Sequence, residues 1–212
     1  METLIGHFTY RAARADDARR IVEILSDPPP PETLAIAGSV SSALAAEMML
    51  FDVGLSVSLA TTTVVEDQGA VVGFMDTQTG RTARPSEAFV LARLAPAILL
   101  RFGPAVLLRA VRWMRVTGRV QFERDPSALH IAELDVAATH RGRGIGAALL
   151  DVAEQQARAA GLPRMTLTTK ITNPARRLYE RQGFQVIASR TDAEWERWSA
   201  SPGRVLMVKT LT

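Results

Sequence analysis

A chain of 212 residues with 47% hydrophobic content is long enough for one domain, or a domain with an insertion, and can bury a real core; it is not a disordered chain. Lys+Arg number 25 and Asp+Glu 22, and the pI of about 9.9 reflects basic residues that are nearly all arginine, with no Lys/Arg run to suggest a nucleic-acid partner. Cysteine is absent, which excludes disulfides, thiolate nucleophiles and zinc–cysteine sites.

The first residues, Met1 to Tyr10, carry no basic segment followed by an apolar run and a small-residue cleavage site, so a cytoplasmic location is expected. Phe8 to Ala12 reads as a strand. Asp16 then starts an amphipathic helix to about Leu25, with Ile21, Ile24 and Leu25 at helical spacing. Pro28 to Pro31 ends it. A second helical stretch from Glu32 to about Phe51 is interrupted at Gly38 and the serines that follow. Thr61 to Glu66 and Ala70 to Thr77 are β-rich and flank Asp67-Gln68-Gly69, the pattern of a hairpin.

Between Ser86 and Thr117 lies an apolar segment divided by Arg93, Arg101 and Arg109, which leave runs of only seven residues between them. A membrane span needs ~20 mostly apolar residues, and each central arginine costs about 2.5 to 3.5 kcal/mol on the insertion scale. Two amphipathic helices are expected instead, broken at Pro96 and at Gly103-Pro104, with no membrane span. Their first reading is a lid or wall over a binding pocket, their second a homodimer surface, and interfacial membrane attachment the third.

From Leu129 the pattern sharpens into a strand to Val136, a glycine-rich loop, a helix from Ile145 to about Ala160, a turn at Gly161-Leu162-Pro163 and a strand from Met165 to Thr169. Two strands joined through a helix form a parallel pair, and ligands of such units bind beyond the carboxyl ends of the strands. Arg141-Gly142-Arg143-Gly144-Ile145-Gly146 stands at that end and leads into the helix, so glycine N–H groups and first-turn N–H groups can converge on an anion. A tight turn with glycines for packing fits the loop alone equally well. A nicotinamide site would want the loop after the first strand with an acid about twenty residues on, and a kinase-type phosphate loop would end in G-K-[ST]; neither fits. Asn173 to Phe184 reads as a short helix with Asn173 as N-cap, Pro174 at the first helical position and Gly183 as the C-terminal cap, with Tyr179 inside it. Trp195 and Trp198 lie between strands expected at Gln185 to Arg190 and Arg204 to Leu211. His7 and His140 lack metal-ligand spacing, and no catalytic metal is expected.

Arg141 to Gly146 matches R/Q-x-x-G-x-G/A, and Asn173 to Phe184 matches an N-x-x-A-x-x-x-Y-x-x-x-G-F-like run with the alanine displaced; together they make the chain resemble the GCN5-related N-acetyltransferase superfamily. The resemblance is strong from about Leu129 to Phe184, looser at Tyr10 to Leu25 and at the hairpin, and absent from Ser86 to about Ser127. Ala138 stands where the family usually has proline. The resemblance implies an α+β, three-layer fold: a mixed, mostly antiparallel sheet with one splayed parallel strand pair and helices on both faces. It implies one domain over 1–212 with a helical insertion at about 86–117. Acetyl-CoA would be the donor, with its pyrophosphate on the backbone from Arg141 through Gly142, Arg143 and Gly144 to Gly146. Its pantetheine arm would pair with Val136 and be fixed by Asn173, and Tyr179 would protonate the thiolate. Glu133 and His130 stand where relatives carry an acid or a base, with Asp135 a third choice; each also reads plainly as a cross-strand polar residue. The expected activity is direct acetyl transfer to a primary amine on a small molecule. The alternatives are a protein N-terminus or lysine as acceptor, or a CoA-binding regulatory module without turnover.

Overall fold

A computed structural model describes residues 3–5, 7–52, 58–80 and 87–211. Its strands are β1 (Thr3–Ile5), β2 (Phe8–Ala12), β3 (Thr62–Asp67), β4 (Ala70–Gln78), β5 (Ala128–Val136), β6 (Arg164–Lys170), β7 (Gln185–Thr191) and β8 (Gly203–Thr210). They form one sheet in the order β1-β2-β3-β4-β5-β6-β8-β7, in which only β5 and β6 run parallel among the described strands. The helices are α1 (Ala18–Leu25), α2 (Pro31–Ala37), α3 (Val40–Asp52), α4 (Glu87–Phe102), α5 (Pro104–Val120), α6 (Ile145–Ala159), α7 (Arg176–Arg181) and α8 (Ala193–Ser199). This is the expected mixed, mostly antiparallel α+β architecture.

Each face of the sheet is covered because each presents an apolar row. On one side α6 buries Ile145, Leu149, Ala153 and Ala157, spaced four apart along one stripe, against Leu129, Ile131, Met165, Leu167 and Met207. On the other, α1 packs Ile21, Val22 and Ile24 against Val64 and Phe74. Full burial of such a side chain is worth about 1.5 to 3 kcal/mol, so these two layers dominate the stability. Asp17 ties α1 to the sheet: its carboxylate accepts from both Arg11 guanidinium nitrogens at 2.7 and 2.9 Å and from the Arg14 N–H at 2.6 Å. The adjacent guanidinium holds the Asp17 carboxyl below its ordinary range.

Local chemistry explains the boundaries. The β3–β4 hairpin turns on Gln68 and Gly69, at φ 50° and 82°, the left-handed pair a two-residue hairpin loop requires; Asp67 belongs to β3, where it pairs with Ala70. Gly38, at φ 84°, ends α2 and separates it from α3. Pro96 does not break the 86–117 segment as expected. It sits on the exposed side of α4, where the lost N–H bond is relieved by solvent, and the helix runs on to Phe102.

Helices α4 and α5 dock in two places. Leu94, Ile98 and Val106 pack with Ile36 of α2 and Met49 of α3. Val116 and Val120 pack with Trp195 of α8, over which Trp113 stacks at 4.6 Å between ring centroids and 23° between planes. The exposed Arg112–Glu194 pair at 2.6 Å and Arg119–Glu194 pair at 3.0 Å flank this contact; being screened by water, they are secondary to it. No described helix is long and apolar enough to cross a membrane.

Gly203 shows how tightly the β7–β8 edge is built, since an added Cβ would lie 1.9 Å from the Arg190 carbonyl oxygen. Backbone cannot yield as a side-chain tip can. Gly203→Ala is therefore expected to cost about 3 kcal/mol, seen by calorimetry as a Tm lowered by roughly 6 to 12 °C.

Candidate active site

The sheet opens between its two parallel strands. β5 pairs β6 from Ala128↔Arg164 to Ile131↔Leu167 and no further, while β5 continues beside β4 to Val136 and β6 beside β8 to Lys170. The two ends therefore diverge into a V. Ala137 donates its N–H to Val72 O at 2.8 Å, so the backbone groups of Val136, one residue earlier, point away from β4 and into the opening. The Val136 carbonyl accepts from Arg141 Nε at 2.9 Å.

A bulge decides which side chains face which way. Asp76 pairs with Glu133 but Thr77 with Ile131, leaving Ala132 as the extra residue on β5. Leu129 and Ile131 before it, and Leu134 and Val136 after it, all pack in the α6 core. Glu133 and Asp135 accordingly turn to the opposite face. Their carboxyls make no hydrogen bond among the described residues, and burial is the largest influence on both. It pushes Glu133 up to about 8, helped by the charge of Asp135, and Asp135 up to about 7 against the nearby Arg141.

Beyond Val136 the chain makes a short turn (Ala138–His140) and then the glycine loop. Gly142 and Gly144 take φ of 77° and 84°, and Gly144 is the N-cap of α6. Among the described residues the N–H groups from Gly142 to Ala147 donate to no backbone carbonyl, the first such bond of the helix being Ala148 to Gly144 O at 3.1 Å. Unpaired donors at the positive end of a four-turn helix attract an anion. Residues 141–144 are exposed. The arginines differ: Arg141 is folded back on Val136, whereas Arg143 reaches Asp67 at 3.5 Å and lies 5.6 Å over the Phe8 ring. Gly146 has a packing reason of its own, since a Cβ there would meet Leu178 Cδ2 of α7 at 2.9 Å.

Tyr179 is carried on α7 at 7% exposure, its ring edge-on to Phe184 at 6.2 Å. Its hydroxyl has no protein hydrogen bond among the described residues. Burial, then the charges of Asp135 and Glu133, raise the phenol above its ordinary value, so it holds its proton throughout the neutral range. The phenol thus feels the charge of both carboxyls.

Asn173 does not cap α7 in the expected register. The helix begins at Arg176 with Ala175 as its N-cap, two residues later, because Asn173 Oδ1 accepts from the Ala175 N–H at 2.9 Å and folds the chain into a turn first. Its amide donates to Thr169 Oγ1 at 2.7 Å, so both polar ends are engaged within the protein. Gly183, at φ 87°, follows the C-cap Gln182. His130 lies below the point where the strands part, half-buried, with Nδ1 3.0 Å from Thr166 Oγ1.

Sequence reasoning missed Glu47 of α3, which is 8% exposed and whose charge reaches Glu133. No pattern around it marks it; only the packing of α3 over the sheet brings it there. Among the described residues no group of His, Asp and Glu could hold a metal.

The strands of the parallel pair diverge, with an anion-attracting loop beside them and a buried phenol on the next helix. Residues 21–184 match the acetyltransferase (GNAT) family, and the chain belongs to it; its class is acyltransferase. Similar solved structures include an acetyltransferase, 19% identical with a TM-score of 0.57, covering 96% of this chain and 99% of that one. Ard1 from Thermoplasma volcanium is 16% identical with a TM-score of 0.57, over 97% and 99% of the two chains. An agmatine N-acetyltransferase is 18% identical with a TM-score of 0.57, over 97% and 100%. No curated protein sequence matches.

Asn173→Ala removes both the bond to Thr169 and the turn that launches α7. A stability loss of about 1 to 2 kcal/mol is expected, measured by urea unfolding with an unchanged m-value.

Proposed function

We propose that this protein transfers the acetyl group of acetyl-CoA to a primary amine on a small molecule, by direct attack of the amine on the thioester. The observation that carries the reading is the charge of Glu133, on the stretch where β5 has left β6, felt by the buried Tyr179 phenol. In the reaction the ammonium gives one proton to Glu133, and the neutral amine nitrogen bonds to the thioester carbonyl carbon. The carbon–sulfur bond then breaks, Tyr179 protonates the leaving thiolate to CoA thiol, and the second proton lost from the nitrogen restores the phenol. The products are the acetamide and CoA.

The raised Glu133 suits that task. An alkylammonium of pKa near ~10.4 gives its proton to an ordinary glutamate at a cost of about 8 kcal/mol, but to one near 8 at about 3 kcal/mol. His130, held by Thr166 below the opening, is the second choice. Asp135 contributes charge beside Tyr179. The donor's pyrophosphate would rest on the N–H groups from Arg141 to Gly146, with Arg143 at the rim, and its pantetheine amides would pair with Val136. Asn173 would support the arm through the start of α7. In this reading 1–212 is one catalytic domain, and α2, α3, α5 and α8 wall the acceptor side, which fits a small molecule better than an open peptide groove.

Only ionised Glu133 accepts the proton, so kcat/KM for the amine should fall about tenfold per pH unit below an inflection near 8 and level off above it. Glu133→Gln should remove that inflection and lower the rate about 10²- to 10⁴-fold. A wild-type rate independent of pH from 6 to 9 assigns the base elsewhere.

Tyr179→Phe keeps the ring against Phe184 and removes only the hydroxyl. A fall in kcat of about 10²- to 10⁴-fold with acetyl-CoA affinity retained is expected from steady-state kinetics and calorimetry. A variant within about twofold of wild type makes Tyr179 a core aromatic alone.

A further inference from the structure

We propose that the outward face of α4 and α5 docks the protein on the surface of an anionic lipid bilayer, its leucines entering the headgroup boundary and its arginines meeting lipid phosphates and carboxylates. This is a property of the surface and is independent of acetyl transfer.

From 88 to 122 the chain holds Arg93, Arg101, Arg109, Arg112, Arg115 and Arg119 and no aspartate or glutamate. A helix of a water-facing protein turns its apolar stripe to the core and its charged side outward. Here the core side is filled: Leu94, Ile98 and Val106 pack with Ile36 and Met49, and Val116 and Val120 with Trp195. Large apolar side chains are left over on the outside. Leu100 is 91% exposed, Leu108 70% and Phe89 60%.

Their spacing joins them with the arginines into one surface. On α4, Phe89, Arg93, Pro96 and Leu100 are all exposed and follow at steps of four, three and four residues, which is one stripe of a helix. On α5, Leu108, Arg112, Arg115 and Arg119 are exposed and repeat those steps. The two helices pack on each other and are joined through Gly103. Ile98 and Val106 lie in the same buried cluster, and Leu100 and Leu108, each two residues further along its helix, turn away from it together. The bend thus carries exposed Leu99, Leu100 and Leu108, with arginines along the helices behind.

The charge on this face is not answered from within the protein. Arg112 and Arg119 pair with Glu194, and Arg109 is half-buried beside Gly38. Arg93, Arg101 and Arg115 are exposed and form no ion pair among the described residues. Glu23, which lines a cleft with Arg101, is already held by Arg19 at 3.1 Å and Arg20 at 3.2 Å.

Charge and apolarity together select the occupant. A second copy meeting this face with its own would set arginine against arginine with no acid to answer. A polynucleotide would use the arginines, but leucine neither stacks on a base nor binds phosphate. An anionic bilayer takes both features: apolar side chains sink to the acyl boundary while guanidinium groups stay among the headgroups. Each arginine near such a surface strengthens binding about fivefold.

Co-sedimentation of the full chain with vesicles tests this, comparing phosphatidylcholine alone with phosphatidylcholine containing about 30 mol% phosphatidylserine. Binding should be about tenfold or more tighter to the anionic vesicles and should weaken sharply between about 0.1 and 0.5 M NaCl. Leu100→Asp, at a side chain that packs against little, should leave the melting temperature unchanged and lower vesicle binding about tenfold or more. Arg93→Ala should lower it about fivefold. Should Leu100→Asp not fold, Leu108→Asp and the salt series carry the same test. Failure to bind anionic vesicles, equal binding to both vesicles, or binding untouched by folded Leu100→Asp would overturn the inference. So would a dimer in sedimentation velocity that Leu100→Asp dissolves, which gives the face to a second copy. Tighter binding to a single-stranded oligonucleotide than to the vesicles, lost in Arg93→Ala, would overturn it in favour of a polynucleotide.

Discussion

The end of strand pairing at Ile131↔Leu167 is the constraint on which the site depends. Backbone donors and acceptors inside a sheet are normally satisfied by the neighbouring strand, and here β5 has lost its neighbour on one side for its last five residues. The open edge is tolerable because it is short and because Arg141 takes the Val136 carbonyl. The same divergence sets the glycine loop at the mouth of the opening.

The bulge at Ala132 is the second determinant, and it accounts for how much was legible in advance. The loop from Arg141 to Gly146, the stripe of α6 and the strands around them follow from period and glycine chemistry, and the structure has them within a residue or two. Strict alternation along β5, however, would put Glu133 on the face of Leu129 and Ile131, in the core. One extra residue reverses that, and a bulge between ordinary residues leaves no mark in sequence. Asn173 erred for a related reason: an asparagine followed by proline suits both an N-cap and a preceding turn, and the bond to Thr169, set by tertiary structure, selects the turn. Glu47 was invisible because α3 offers no clear polar face to single it out, and its neighbours on the sheet come from distant strands. β1 passed unnoticed because three residues are too few to carry a period.

Two layers of opposite character share this one sheet. The α6 side is a dry apolar core, whereas on the other side α1 covers a modest apolar patch and the rest of the face is polar. Burying carboxyls there works against folding, since an acid whose proton affinity is raised in the native state destabilises that state as pH rises through the interval between its unfolded and folded pKa values. The apolar contacts of α6 and the Arg11–Asp17 anchor of α1 compensate for that strain at a distance from the site.

All three tryptophans of the chain stand together at the junction of α5 and α8: Trp113 against Trp195 at 4.6 Å and against Trp198 at 5.9 Å. Trp113 belongs to α5 and the other two to α8, the helix before β8. The intrinsic emission of the protein is therefore a single built-in gauge of that junction. Rings this close share excitation energy, so parting α5 from α8 would alter its colour and polarisation without any attached dye, and movement at that junction could be followed in real time.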